Sequence, residues 1–133
     1  MSASDLLFDT WAWWEYLHRT KIGGSLRDRF VRSRGYRIHT SAVSFGELSA
    51  RLASLGARDR IPGACGAVRR MTHVWDVTAD IAQEAGIARA KLRATWASAS
   101  LADGIVLVTS QRAGARIVSA DRAFRGIPGV IDH

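Results

Sequence analysis

Ser100–Asp121 reads SLADGIVLVTSQRAGARIVSAD, and the reading of this stretch decides the fold. Leu101, Ile105 and Val108 recur at helical spacing and predict the inner face of a helix. Ser100 and Asp103 stand at the spacing of an N-cap and an acid that reaches back to it, with aspartate in the place usually taken by glutamate. Gly114 is the expected C-cap. Ala115–Ser119 (ARIVS) then reads as a strand, with Asp121 directly after it. So short a connection makes helix and strand antiparallel, so the helix begins at the strand's carboxyl end. Asp103 and Asp121 are therefore expected on one edge.

The same alternation extends outward. Leu6-Leu7-Phe8 is an apolar run closed by Asp9 and predicts a buried first strand. Arg37–Val43 (RIHTSAV) predicts a second, followed by a helix with Phe45, Leu48, Leu52 and Leu55 at helical spacing. Ser44-Phe-Gly-Glu47 matches a capping box, with Ser44 as N-cap and Glu47 in the first turn. His73–Val77 (HVWDV) predicts a third strand, and Ile81, Ala85, Ala88 and Leu92 the apolar face of the next helix. Gly129–Asp132 suggests a short fifth strand. Strands alternating with helices imply an α/β fold: one domain over residues 1–133, with a mostly parallel sheet of four to five strands covered on both faces. Ligands in such sheets bind beyond the carboxyl ends of the strands. By this reading Asp9, Glu47, Asp103 and Asp121 all converge there.

Composition narrows the chemistry. The chain has 133 residues, 47% of them hydrophobic, enough for one core. The segment from Met1 to Phe8 is short and carries Asp5, unlike a signal peptide or a membrane span, so a cytoplasmic protein is expected. A single cysteine, Cys65, excludes an internal disulfide, and no base near it in sequence marks it as a nucleophile. His18, His39, His73 and His133 lack zinc-site spacing. The net charge of +7 points to a polyanion such as nucleic acid, and of the 19 basic residues only Lys21 and Lys91 are lysines. Arg27, Arg29, Arg32 and Arg34, with Lys21 and Arg37, form the densest basic cluster; it reads as phosphate contacts or as a solvated helix face. Trp11, Trp13 and Trp14 lie too close together to face inward all at once on a short helix, so at least one is expected at an interface. Trp75 and Trp96 are expected in the core.

Any one of the four acids, taken alone, reads as a helix cap or a turn residue. Four on one edge are different, because like charges repel and burial raises their pKa values unless a cation lies among them. A hard divalent ion, Mg²⁺ or Mn²⁺, suits an all-carboxylate set without His or Cys.

The segments Leu-Leu-Phe-Asp9-Thr10, Ser41-Ala-Val-Ser44-Phe-Gly-Glu47-Leu, Ser100-Leu-Ala-Asp103-Gly-Ile and Ile117-Val-Ser119-Ala-Asp121-Arg-Ala-Phe124, in that order, resemble PIN domains, especially VapC-type toxins. The resemblance spans almost the whole chain and implies a PIN-like three-layer α/β/α sandwich. It implies that Asp9, Glu47, Asp103 and Asp121 are catalytic and hold one or two Mg²⁺ or Mn²⁺ ions, with Thr10 and Ser119 as polar neighbours. It further implies an endoribonuclease that hydrolyses RNA phosphodiesters with water as nucleophile, an antitoxin partner that meets a groove near the tryptophans, and a homodimer. Two other readings keep the fold: a housekeeping PIN nuclease in RNA processing, and a catalytically weak RNA-binding PIN module. The sequence departs from the family pattern at Ala123, where a further acid is common, and at Gly104, where a better helix former is commoner and glycine costs up to ~1 kcal/mol. A receiver-like phosphorylation domain needs adjacent acids near the first strand and a late lysine, and has neither here.

Overall fold

The computed structural model describes residues 4–132, leaving His133 and the first three residues of the opening segment outside the description. Ser4–Phe8 forms β1, Tyr36–Ser41 β2, His73–Trp75 β3, Arg116–Ser119 β4 and Ile131–Asp132 β5. The sheet order is β3-β2-β1-β4-β5, and every pairing is parallel. The chain thus builds outward from β1 to β3, then returns to the other side of β1 to lay down β4. Right-handed crossovers taken in opposite directions place their helices on opposite faces. Thr10–Leu17 (α1), Lys21–Leu26 (α2), Val43–Ser54 (α3) and Ile61–Met71 (α4) cover one face; Ala79–Leu92 (α5) and Leu101–Ala113 (α6) cover the other. The expected three-layer sandwich is what forms.

Alternation along β1 feeds both layers. Leu6 and Phe8 pack with Trp13, Leu26, Phe30, Leu48 and Val68, whereas Leu7 packs with Leu92, Val106, Leu107 and Phe124 on the other side. Beneath the second layer, α5 and α6 join through Ile81, Ala85, Ile105 and Val108. Their approach is close because of Gly104. A Cβ there would lie 2.3 Å from the Ala85 carbonyl oxygen, so the residue that weakens α6 as an isolated helix is the one that lets the pair touch.

Several local expectations change. The second strand ends at Ser41 rather than Val43, and the helix after it begins at Val43 with Ala42 as its cap and no side-chain capping bond. Ser44 is fully buried inside that helix, so the capping box at Ser44 does not form. Leu101 is exposed, and the inner face of α6 is wider than its helical stripe suggested, taking in Val106 and Leu107 as well. β3 stops at Trp75, two residues short of the expected strand. Trp75 and Trp96 are half-buried at the margins rather than central. Helix α4, which the sequence reading did not anticipate, buries only Val68.

Candidate active site at the carboxyl edge of the sheet

The reversal of strand order falls between β1 and β4, and the chain leaves both strands at the same edge. Asp9 follows β1 and is buried at 5% exposure. It caps α1: one carboxyl oxygen accepts from the Ala12 N–H at 2.9 Å, and the other accepts a short hydrogen bond from the Ser119 hydroxyl. The Ser119 Oγ in turn accepts from the Asp121 N–H at 2.8 Å, so one serine at the end of β4 ties two of the acids together. Asp121 then caps a 3₁₀ turn over Arg122–Phe124, its carboxyl accepting from the Ala123 N–H at 2.9 Å.

Glu47 arrives from the first turns of α3. Its Oε1 accepts from the Thr10 hydroxyl at 2.5 Å, and Thr10 Oγ1 also lies 3.1 Å from Ser44 Oγ. The Thr10 hydroxyl thus has two acceptors within reach, the Glu47 carboxylate at the shorter distance and Ser44 Oγ behind it. Ser44 was expected to cap the helix, and instead it supports the residue that orients Glu47. Asp103 sits as anticipated: Ser100 N–H donates to Asp103 Oδ2 at 2.8 Å and Asp103 N–H donates to Ser100 Oγ at 3.1 Å, a complete capping box.

The charges on these carboxyls act on one another. Burial pushes the Asp9 carboxyl up to about 7; the Ser119 and Ala12 donors oppose the rise, and Asp121 and Glu47 add to it. Glu47 is raised by partial desolvation and by Asp103 and Asp121, against the Thr10 bond. Asp103 is raised by desolvation and by the nearby Asp121 carboxyl, against the bonds from Ser100. The structure therefore brings all four predicted acids, with Thr10 and Ser119, to one edge. Among the described residues none of the four is ion-paired to a base.

Their donor set is all oxygen, negatively charged and uncompensated, which fits a hard divalent cation and not zinc. No three ligating side chains among the described residues are drawn onto one point. Ala123, at the position where a further acid is common, is fully buried in the second core cluster. An acid there would enter apolar surroundings.

The structure places the Arg27–Arg34 cluster elsewhere. The Gly35 carbonyl accepts from the Ser4 N–H at 2.9 Å, which fixes the end of this segment at the amino edge of β1, opposite Asp9. Arg27 pairs with Asp28 at 3.4 Å, and Arg29 lies over the Phe30 ring. Of the clustered tryptophans, Trp13 is fully buried and donates to Thr40 Oγ1 at 2.9 Å. Trp14 is half-buried on the outer side of α1, stacked on His18 at 4.0 Å and covered by the Arg51 guanidinium at 3.8 Å. Residues that sequence reasoning passed over lie closer to the acids: Arg89 and Arg93, on the last turns of α5, both donate to the Ala99 carbonyl just ahead of the Ser100 cap.

Comparison with known proteins agrees with this architecture. The family model described as the PIN domain matches residues 6–130. No curated protein matches the sequence. Among solved structures, a toxin–antitoxin complex from Klebsiella pneumoniae is 21% identical, with a TM-score of 0.67 over 95% of this chain and 95% of that chain. The Mycobacterium tuberculosis VapC20, a toxin that cleaves the sarcin–ricin loop, is 20% identical, with a TM-score of 0.69 over 94% of this chain and 98% of that one. VapBC2 from Rickettsia felis, solved on a DNA fragment from its promoter, is 14% identical, with a TM-score of 0.71 over 97% of each chain.

Proposed function

The chain belongs to the PIN domain family, and from that premise we propose that it is a metal-dependent endoribonuclease acting as the toxin of a VapBC-type pair. One observation carries the reading: four carboxyls gather at a topological switch point, the pKa values of Asp9, Glu47 and Asp103 are raised there, and among the described residues none of the four is ion-paired to a base. Such a cluster is stable as an ionised set only with a cation. Asp9, Glu47, Asp103 and Asp121 would hold Mg²⁺ or Mn²⁺, which when bound supplies activated water and charge neutralisation at a phosphodiester.

The chain's own residues prepare the edge for this. Ser119 and the start of α1 fix both oxygens of Asp9. Thr10, backed by Ser44, points the Glu47 carboxyl to the edge. The Ser100 cap holds the Asp103 backbone and side chain in one geometry. Side chains locked by such supporting bonds keep a reacting centre in place, and that positioning is most of what a phosphodiester hydrolase needs from its protein.

The toxin reading takes support from structures of the same fold that are named as toxins or toxin–antitoxin complexes. An antitoxin segment would lie along α1, where the Trp14 ring meets His18 and Arg51. A homodimer and a cytoplasmic RNA target complete the proposal. Among the described residues no helix is long and apolar enough to cross a membrane.

The test is incubation of purified protein with total RNA in Mg²⁺ or in EDTA, beside Asp103→Asn, with the cut ends mapped. Cleavage that needs the metal and is lost in the variant is expected, with 5′-phosphate ends. Equal cleavage by Asp103→Asn, or cleavage in EDTA, overturns the reading.

A further inference from the structure

We propose that Arg89, Arg93 and Arg122 form the flank that grips the phosphates of a nucleic-acid strand beside the acidic edge, in place of the denser Arg27–Arg34 cluster. The proposal rests on the nuclease reading of that edge and adds the surface by which the strand is held.

Gly104, one residue past Asp103, packs against Ala85 and the Arg89 backbone, so the last turns of α5 lie beside the first turn of α6. Arg89 and Arg93 are one helical turn apart and share a face. Each gives its Nε–H to the same Ala99 carbonyl, at 3.3 and 3.0 Å. Ala99 is buried and directly precedes the Ser100 cap, so both guanidinium groups are pinned next to the element that carries Asp103. A guanidinium has five N–H donors, and the Nε bond leaves the terminal fork of each arginine for a ligand.

A third cation comes from another part of the chain. Arg122 follows Asp121 and lies over the Trp96 ring, 5.4 Å from its centroid, and Trp96 belongs to the same connection between α5 and α6. Three arginines from two segments therefore border Asp103 and Asp121. None of them forms an ion pair with an acid among the described residues. Cations held beside carboxylates without neutralising them suit a substrate that carries several negative charges in a row, with one phosphate at the acids and its neighbours on the forks. The Arg27–Arg34 segment ends at the opposite edge of the sheet, with Arg27 already paired to Asp28.

The experiment measures binding of a labelled single-stranded RNA to the Asp103→Asn protein by fluorescence anisotropy across a KCl series, with single-stranded DNA of the same sequence as a second arm. Arg122→Gln and the double variant Arg89→Gln/Arg93→Gln are expected to weaken binding several-fold. The slope of log K against log[salt] should fall by about 0.7 for each phosphate contact removed. Arg32→Gln/Arg34→Gln should change neither quantity. Should the double variant lose fold by circular dichroism, Arg122→Gln and Arg93→Lys carry the test, the lysine keeping the charge and so the slope. Weakened binding to both strands identifies backbone phosphate as the ligand, and weakened binding to RNA alone makes the flank RNA-specific. Wild-type affinity and slope in Arg122→Gln and in the Arg89/Arg93 variant overturn the proposal, whatever the cleavage result. Weakened binding in these variants, together with a protein carrying Asp103 that cleaves no RNA in Mg²⁺, leaves this flank standing and removes the nuclease reading instead.

Discussion

Asp5 lies near the start of β1 and Asp9, four residues on, directly follows its end. They meet opposite surroundings. Asp5 Oδ1 is 2.7 Å from His39 Nε2, and His39 Nδ1 accepts from the Trp75 indole N–H at 3.0 Å. Because an indole only donates, Nδ1 carries no proton; the hydrogen sits on Nε2 and is donated to Asp5. Asp5 Oδ1, both His39 ring nitrogens and the Trp75 indole N–H are all partnered within the protein. Asp9 has donors too, in Ser119 and Ala12, but its other neighbours are Glu47 and Asp121, and its carboxyl is pushed up to about 7. One end of β1 closes a network that holds the edge strand β3. The other gathers like charges that no base among the described residues neutralises.

The comparison is most sharply tested by making each acid neutral. Asp9→Asn keeps an N-cap acceptor for Ala12 while removing a like charge. Cleavage of a labelled RNA should drop at least about a hundredfold, since even outer neighbours of metal ligands cost ten- to a hundredfold when lost. In EDTA at pH 7 the same variant should be roughly 1–3 kcal/mol more stable by urea denaturation, because the buried charge is gone. An Asp9→Asn protein that is both inactive and less stable would place Asp9 with Asp5 as a structural acid. The pH dependence carries the same sign. The Asp9 carboxyl titrates near 3.8 in an unfolded chain and about 7 in the fold, so the folded state binds the extra proton between those values. Metal-free stability is therefore full below about pH 4 and is lost as pH rises through 7, with a slope of at most ~1.4 kcal/mol per pH unit. Glu47 and Asp103, also raised, act in the same direction. Subtracting the Asp9→Asn curve from the wild-type curve isolates the Asp9 share, and parallel curves would refute it.

At the quiet end of the strand the expectation inverts. Asp5→Ala leaves the His39 Nε2–H without its acceptor in a buried corner and should cost about 1–3 kcal/mol, with cleavage at saturating metal within twofold of wild type. A large loss of activity in a protein that still folds would put function at both ends.

How much of this was legible in the sequence depends on range. Asp103 could be read because its cap, its helix and its strand follow one another within a single segment, and the capping box forms as expected. The convergence of the four acids followed from strand direction together with helix starts, and the structure brings them to one edge although the cap expected at Ser44 does not form. Ser44 was misread because a capping pattern is local while the contact it makes, with Thr10, spans the whole crossover from β1 to β2. The Asp5–His39–Trp75 chain was invisible for the same reason, joining three strands through side chains that no motif links. Arg89 and Arg93 were passed over because they are diluted along a helix, whereas Arg27–Arg34 are dense in sequence and end at the wrong edge. Gly104 shows how a local rule points the wrong way. Helix propensity favours alanine by up to ~1 kcal/mol, but the Ala85 carbonyl leaves no room for a Cβ. Gly104→Ala should lose a net 1–2 kcal/mol or so, read as a lower urea midpoint, through the strain of forcing α5 and α6 apart.

The smallest expected effect probes the hinge of the comparison. Ser119 accepts from the Asp121 N–H and donates to Asp9, so its hydroxyl connects two acids that otherwise only repel. Its bond lowers the Asp9 carboxyl against the pull of burial. Ser119→Ala removes that bond and strands the Asp121 N–H, at a cost of about 1 kcal/mol below pH 4, where Asp9 is neutral in either protein. In EDTA the pH-dependent loss of stability should then extend to higher pH than in wild type, because Asp9 holds its proton longer. Cleavage at saturating Mg²⁺ should fall several-fold rather than a hundredfold, since all four carboxylates remain. If the stability curve of Ser119→Ala merely shifts down without moving along the pH axis, Ser119 is only a turn residue and Asp9 takes its charge state from burial alone.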